Sequence, residues 1–133
     1  MHKRINPGFL FDSTQYGFSQ AVVSKGSNHI FLSGQVAANA DQSLHSVGMY
    51  EQAIRCLTCI ERLLAEVPAR LSDVTILRIY IRADASNPDS QNDISRALHD
   101  SFGDKLPASS WILVSGLASP DWLLEIEAQA VTE

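Results

Sequence analysis

Pro107-Ala108-Ser109-Ser110-Trp111-Ile112-Leu113-Val114-Ser115-Gly116-Leu117 and, after a Ser119-Pro120-Asp121 break, Leu123-Leu124-Glu125-Ile126-Glu127-Ala128-Gln129-Ala130-Val131 read as two β-strands that close the chain. Strand residues alternate between faces, so Glu125 and Glu127 project from one side of the second strand. In the first, Leu113 and Leu117 share the face of Ser109 and Trp111, while Ile112 and Val114 take the other. Neither side is plainly built for water. A sheet covered on both faces in so short a chain points to an oligomer.

Working outward, Val74 to Arg82 is a third strand, rich in β-branched and aromatic residues. Thr75, Leu77, Ile79 and Ile81 share one face, and Ile76, Arg78, Tyr80 and Arg82 the other. Before it, Ser46 to Val67 changes to a helical period, with Ala53, Leu57, Ile60 and Leu64 on one stripe and Pro68 as the stop. After it, Ser86-Asn87-Pro88-Asp89 signals a second helix, whose stripe of Ile94, Leu98 and Phe102 runs to Gly103. Gln20–Lys25 and His29–Val36 read as strands joined by Gly26-Ser27-Asn28, which predicts a hairpin. A further short strand is expected near Lys3–Asn6. The order ββ–α–β–α–ββ predicts an α+β fold: one domain over residues 1–133, with two helices packed on one face of a mixed sheet.

The totals fit. In 133 residues, 45% are hydrophobic and 19% charged, which is ordinary for a globular chain and too apolar for a disordered one. A net charge of −5 supplies no basic footprint and argues against nucleic acid as a partner. The basic start, Met1 to Pro7, lacks the apolar stretch of a signal peptide, and no run approaches the roughly 20 apolar residues of a membrane span. With only two cysteines, a reducing cytoplasm is the expected location and no membrane partner is expected.

Several residues carry candidate chemistry. Cys56-Leu57-Thr58-Cys59 is a CxxC, but it falls inside a helix without a second ligand pair, so it reads as two small helix residues. His2, His29, His45 and His99 are scattered, and no metal or other cofactor is expected. Ser33-Gly34-Gln35 is no nucleophile elbow; Ser33 reads as a polar strand-end residue beside a close-approach glycine. Glu125 is either part of a solvated face or a general acid/base orienting a water in a cleft. Arg78 and Arg82, on one strand face, suit either a bidentate carboxylate clamp or ordinary ion pairs.

Phe18-Ser19-Gln20-Ala21-Val22, Ile30-Phe31-Leu32-Ser33-Gly34-Gln35-Val36, Glu51-Gln52-Ala53, Asp73-Val74, Phe102, Pro107-Ala108-Ser109-Ser110 and Leu124-Glu125-Ile126-Glu127-Ala128 occur in an order and spacing that resembles the RidA (YjgF) superfamily, from about Tyr16 to Val131. The resemblance implies a chorismate-mutase-like α+β fold and a homotrimer. In such a trimer the sheets form a closed barrel with helices outside, and small-molecule ligands bind in clefts between subunits. The best-known members hydrolyse reactive enamines and imines to keto acids and ammonia without a cofactor. Some relatives are described as ribonucleases.

Carried over by position, the resemblance makes Glu125 the water-orienting residue and puts Phe18, Ser33, Gly34, Ser109 and Trp111 around the ligand. Ser109 stands where the family's deaminases have an arginine that clamps the substrate carboxylate. A serine donates one neutral hydrogen bond and brings no charge. Phe18 replaces a tyrosine, and Trp111 a small residue. The expected activity is therefore hydrolysis of an imine, enamine or related C–N bond other than free 2-imino acids. Arg78 or Arg82 is a possible source of a displaced charge. The alternatives are a non-catalytic trimer binding a metabolite or partner protein and, with less support, an endoribonuclease.

Overall fold

The computed structural model describes residues 2–133. In chain order it contains β1 (His2–Ile5), β2 (Ala21–Ser24), β3 (Asn28–Gln35), α1 (Met49–Ala65), β4 (Val74–Arg82), α2 (Pro88–Phe102), β5 (Ala108–Val114) and β6 (Leu124–Thr132). Strands β3, β6, β4 and β5 form one mixed sheet in that order. β6 runs antiparallel to both β3 and β4, whereas β5 runs parallel to β4, as the α2 crossover requires.

The two closing strands are therefore not partners of each other; they flank or share β4. β5 ends at Val114, opposite Arg82, where β4 itself ends, so the strand is shorter than the Pro107–Leu117 expected. The predicted β2–β3 hairpin does not form. β2 pairs with β1 in a separate two-stranded ladder, and β3 pairs with β6. The reason lies in Gly26, whose bare Cα is pressed against the Thr132 backbone, with a Cβ there only 2.9 Å from its carbonyl carbon. The chain thus runs straight on into the β6 register instead of folding back, and Ile30 and Leu32 fall beside Ala130 and Ala128 on the buried face.

The core lies between the sheet and the helices. Leu77, Ile79 and Ile81 of β4 and Leu124, Ile126, Ala128 and Ala130 of β6 meet Leu57, Ile60 and Leu64 of α1 and Ile94 and Leu98 of α2. Each large aliphatic buried here contributes about 1.5–3 kcal/mol relative to exposure. Helix α1 starts three residues later than the sequence suggests, because Gly48, at φ 96°, is its N-cap and Ser46 is drawn off by a hydrogen bond from the Gln52 side chain. Asn87 and Ser90 form a reciprocal capping box at the start of α2, as the sequence signals.

The opposite sheet face carries no helix. It presents Phe31, 72% exposed, with half-buried Arg78, Tyr80, Glu125, Glu127 and Ile112. No helix among the described residues is long and apolar enough to cross a membrane.

Candidate functional site

Glu125 lies on the uncovered face of β6, opposite Tyr80 of β4. Its neighbour on the other side is β3, where the register slips between Leu32 and Gln35 so that Ser33 and Gly34 together oppose Glu127. Such a bulge re-aims the strand. It brings the Gly34 backbone so close to Glu125 that a Cβ there would lie 2.7 Å from the carboxyl carbon. Ser33 itself is exposed. Close approach is thus the structural role of this glycine, as its position at a strand end suggests.

Two residues from Glu125, Glu127 accepts a hydrogen bond from Tyr80 Oη at 2.5 Å and lies 3.9 Å from Arg78 Nη1. The ion pair is about one-third exposed on each side and contributes under about 1 kcal/mol. The hydrogen bond to the carboxylate, with burial and the Glu127 charge, pushes the Tyr80 phenol above its ordinary value. Glu127 is thereby committed to Tyr80 and Arg78. No donor among the described residues engages the Glu125 carboxylate in a hydrogen bond or ion pair.

Tyr80 is the member of this group that sequence reasoning passed over. The alternation of Ile76, Arg78, Tyr80 and Arg82 already put it on the right face, so the signal was present.

Of the two arginines, Arg82 is occupied. Its Nε bonds Asp84 Oδ1 and its Nη1 donates to Pro120 O, each at 2.5 Å, pinning the segment between β5 and β6. Arg78 is the guanidinium that stays on the Glu125 face.

Ser109 and Trp111 do not join this group within one chain. They pair in register with Leu77 and Ile79, which face the core, so they lie on the helix side of the sheet. Trp111 packs against the core. Ser109 Oγ and Trp111 Nε1 are both shut off from solvent and have no hydrogen-bond partner among the described residues. Phe18 is half-buried in the loop after a short 3-10 helix (Ser13–Tyr16), edge-on to Phe11 at 6.5 Å. Its carbonyl accepts from Ser13 Oγ at 2.8 Å, and His99 of α2 bonds Thr14 O at 2.7 Å, which fixes the loop on the helix.

Cys56 is fully buried and Cys59 half-buried, and both are free thiols. Burial, then the neighbouring Cys59 and the Glu125 charge, push the Cys56 thiol far above its ordinary range. Among the described residues, no group of three or more His, Cys, Asp or Glu side chains is arranged to hold a metal ion.

A sequence model described as endoribonuclease L-PSP matches residues 13–132, nearly the whole chain. The chain belongs to this family, which is the Rid/YjgF family. A Rid-family protein of unknown function from Yersinia pestis is 32% identical, with 98% of each chain covered and a TM-score of 0.88. A YjgF/YER057c/UK114 family member from Mycobacterium tuberculosis is 25% identical over 99% of this chain and 100% of that one, at TM-score 0.65. A YjgF family protein from Neisseria meningitidis is 27% identical over 100% and 96%, at TM-score 0.64. No curated protein matches the chain. The mixed sheet with two helices on one face is thus the Rid fold.

Proposed function

We propose that this Rid-family chain hydrolyses an uncharged or bulky imine or enamine, in clefts between the subunits of a homotrimer. Glu125 orients the attacking water. As the water oxygen bonds to the imine carbon, Glu125 accepts its proton and returns it to the nitrogen. Collapse of the carbinolamine then releases ammonia and a carbonyl compound. Ser33, Ser109 and the apolar Phe18 and Trp111 surround the ligand, and no cofactor takes part.

The observation that carries this reading is the unpartnered Glu125 carboxylate beside Gly34, on a sheet face that no helix covers. Within one chain Ser109 lies on the other side of the sheet, so a cleft using both residues draws on two copies. The exposed Phe31 on the uncovered face gives a second copy apolar surface to bury. Ser109 lacks the charge to hold a carboxylate. A charge-assisted hydrogen bond of this kind contributes about 1.5–3 kcal/mol, equivalent to tens- to hundreds-fold in affinity or rate.

The test is ammonia release from imines generated in situ by an amino-acid oxidase, with each free imino acid compared with its ester or amide. Faster turnover of the neutral compounds, abolished in Glu125→Gln with the fold intact, is the expected result. Absence of release across the whole panel would sink the proposal.

A second reading, a non-catalytic trimer that binds a metabolite, is favoured by Ser109 Oγ and Trp111 Nε1, two buried polar groups awaiting partners. It requires ligand stabilisation of the trimer and a biological output unchanged in Glu125→Gln. The ribonuclease reading has weaker support, since the net charge of −5 offers phosphates little attraction. RNA cleavage by purified protein, lost in a site variant, would revive it.

A further inference from the structure

Tyr80 has two glutamates across from it on β6 and bonds the one that is not its register partner. Glu125 lies directly opposite Tyr80, and Glu127 directly opposite Arg78. Opposed residues of an antiparallel pair hold their Cβ atoms about 4.5–5.5 Å apart, and diagonal ones about 7–8 Å, a span that an aromatic side chain can bridge. Tyr80 takes the diagonal: its Oη donates to Glu127 Oε1 at 2.5 Å. Arg78 Nη1 flanks the same carboxylate at 3.9 Å.

A phenol has one proton to donate. Spent on Glu127, it is not available to Glu125, whose carboxylate turns the other way, toward β3. There a Cβ on Gly34 would lie 2.7 Å from the carboxyl carbon. The other neighbours of Glu125 do not compete for it. Ser33, Gly34 and Gln35 of β3 carry no charge, and Gln35 Nε2 donates to Ser33 O at 3.1 Å. Arg82 of β4 is held by Asp84 and Pro120. Cys56 of α1, on the helix side of the sheet, stays protonated. Of the charged and titratable neighbours, that leaves Tyr80 and Arg78, and Glu127 engages both.

We propose that Glu127 is a positioning residue: by accepting the Tyr80 hydroxyl it keeps that donor off Glu125, whose carboxylate stays free for water. The inference rests on the reading of Glu125 as the residue that orients and deprotonates the attacking water. A carboxylate that accepts a phenol proton has one acceptor position fewer for water. It is also a weaker base, because the bond favours its charged form. The two glutamates on one strand face thus divide the work, Glu127 taking the donor and Glu125 the water. With Glu127 removed, the carboxylate left across from Tyr80 is that of Glu125, its own register partner.

The experiment follows the Glu125 carboxyl of the full chain by carbon-13 NMR titration, alongside ammonia release from imines generated in situ. Glu127→Met removes the acceptor and keeps an unbranched side chain. It also removes a negative charge, so it is compared with Glu127→Met/Tyr80→Phe, which shares that change and lacks the hydroxyl. In the Glu127→Met background, adding Tyr80→Phe should raise the Glu125 midpoint by about one pH unit; in the unaltered chain Tyr80→Phe should leave it in place. In Glu127→Met, kcat should fall about tenfold with KM little changed, and the double variant should recover most of the loss. Glu127→Gln, which keeps a neutral acceptor for the phenol, should retain most of the turnover. Should Glu127→Met fail to fold, Glu127→Ala takes its place. Equal Glu125 midpoints in the single and double variants would overturn the proposal, as would the same shift on adding Tyr80→Phe to the unaltered chain. So would lost turnover that the double variant does not recover. The expected midpoint shifts without ammonia release from the unaltered chain would instead sink the catalytic reading of Glu125 and leave the hold of Glu127 on Tyr80 intact.

Discussion

Gly34 leaves the space that the Glu125 side chain fills. A Cβ at Gly34 would lie 2.7 Å from the Glu125 carboxyl carbon and 2.8 Å from its Cγ. The bulge at Ser33-Gly34 and the alternation of β6 bring these two residues together, although about ninety positions of chain separate them.

Gly34→Ala therefore tests Glu125 without altering it. The obstructing atoms belong to a flexible side chain, so the fold should survive with a small drop in melting temperature. Any Glu125-dependent turnover or ligand stabilisation should fall sharply. A variant with full activity would show that the close approach has no part in the site. Thermal melts and the ammonia assay separate the two effects.

Tyr80 provides a spectroscopic readout on the same face. Its hydrogen bond to Glu127 raises the phenol above its ordinary value of 10.0. A group whose native pKa is raised contributes stability that is present below the unfolded value and lost as pH rises through the native one. The contribution of Tyr80 should thus be constant through neutral pH and vanish only on the alkaline side of 10.0. Ultraviolet titration of the phenolate should show a late-ionising tyrosine that disappears in Tyr80→Phe.

The two cysteines should differ in reactivity. Cys56 is sealed in the core and its thiol is held protonated, whereas Cys59 is half-buried beside a groove lined by Gln35, Arg62 and Leu63. Iodoacetamide under native conditions should label Cys59 and leave Cys56 untouched until the protein is unfolded, as mass spectrometry of the peptides would show. Early labelling of Cys56 would contradict the burial described.

Gln52 is a buried polar residue that ties three segments together. Its Nε2 donates to Ser46 O at 3.1 Å and Asp121 O at 3.0 Å, and its Oε1 accepts from Leu123 N at 2.8 Å. Gln52→Leu would leave these backbone groups unsatisfied and should cost about 2–4 kcal/mol, measured by chemical denaturation. The loop entering β6 two residues before Glu125 should loosen with it, exposing Leu123 N–H to hydrogen exchange.

Much of this was legible in advance. The bounds of β4 and the α2 cap follow from local rules: β-branched alternation for Val74 to Arg82, and Asn87-Pro88 before an apolar stripe. The faces of Glu125 and Glu127 follow from the same two-residue period. Where local rules failed, a long-range contact had won. Gly26-Ser27-Asn28 has good turn chemistry, yet contact with Thr132 at the far end of the chain takes β3 away from β2. Arg82 shared a face pattern with Arg78, but the Pro120 carbonyl and Asp84 claim it.

The sequence by itself determined the α+β class, the two amphipathic helices and the resemblance to the Rid family, because periodicity and short motifs are properties of neighbouring residues. Only the tertiary structure decided that Glu125 faces Tyr80 and Gly34 while Ser109 and Trp111 turn to the helix side. These facts depend on strand register and on packing between distant segments, and a period along one strand carries no information about which strand will lie beside it.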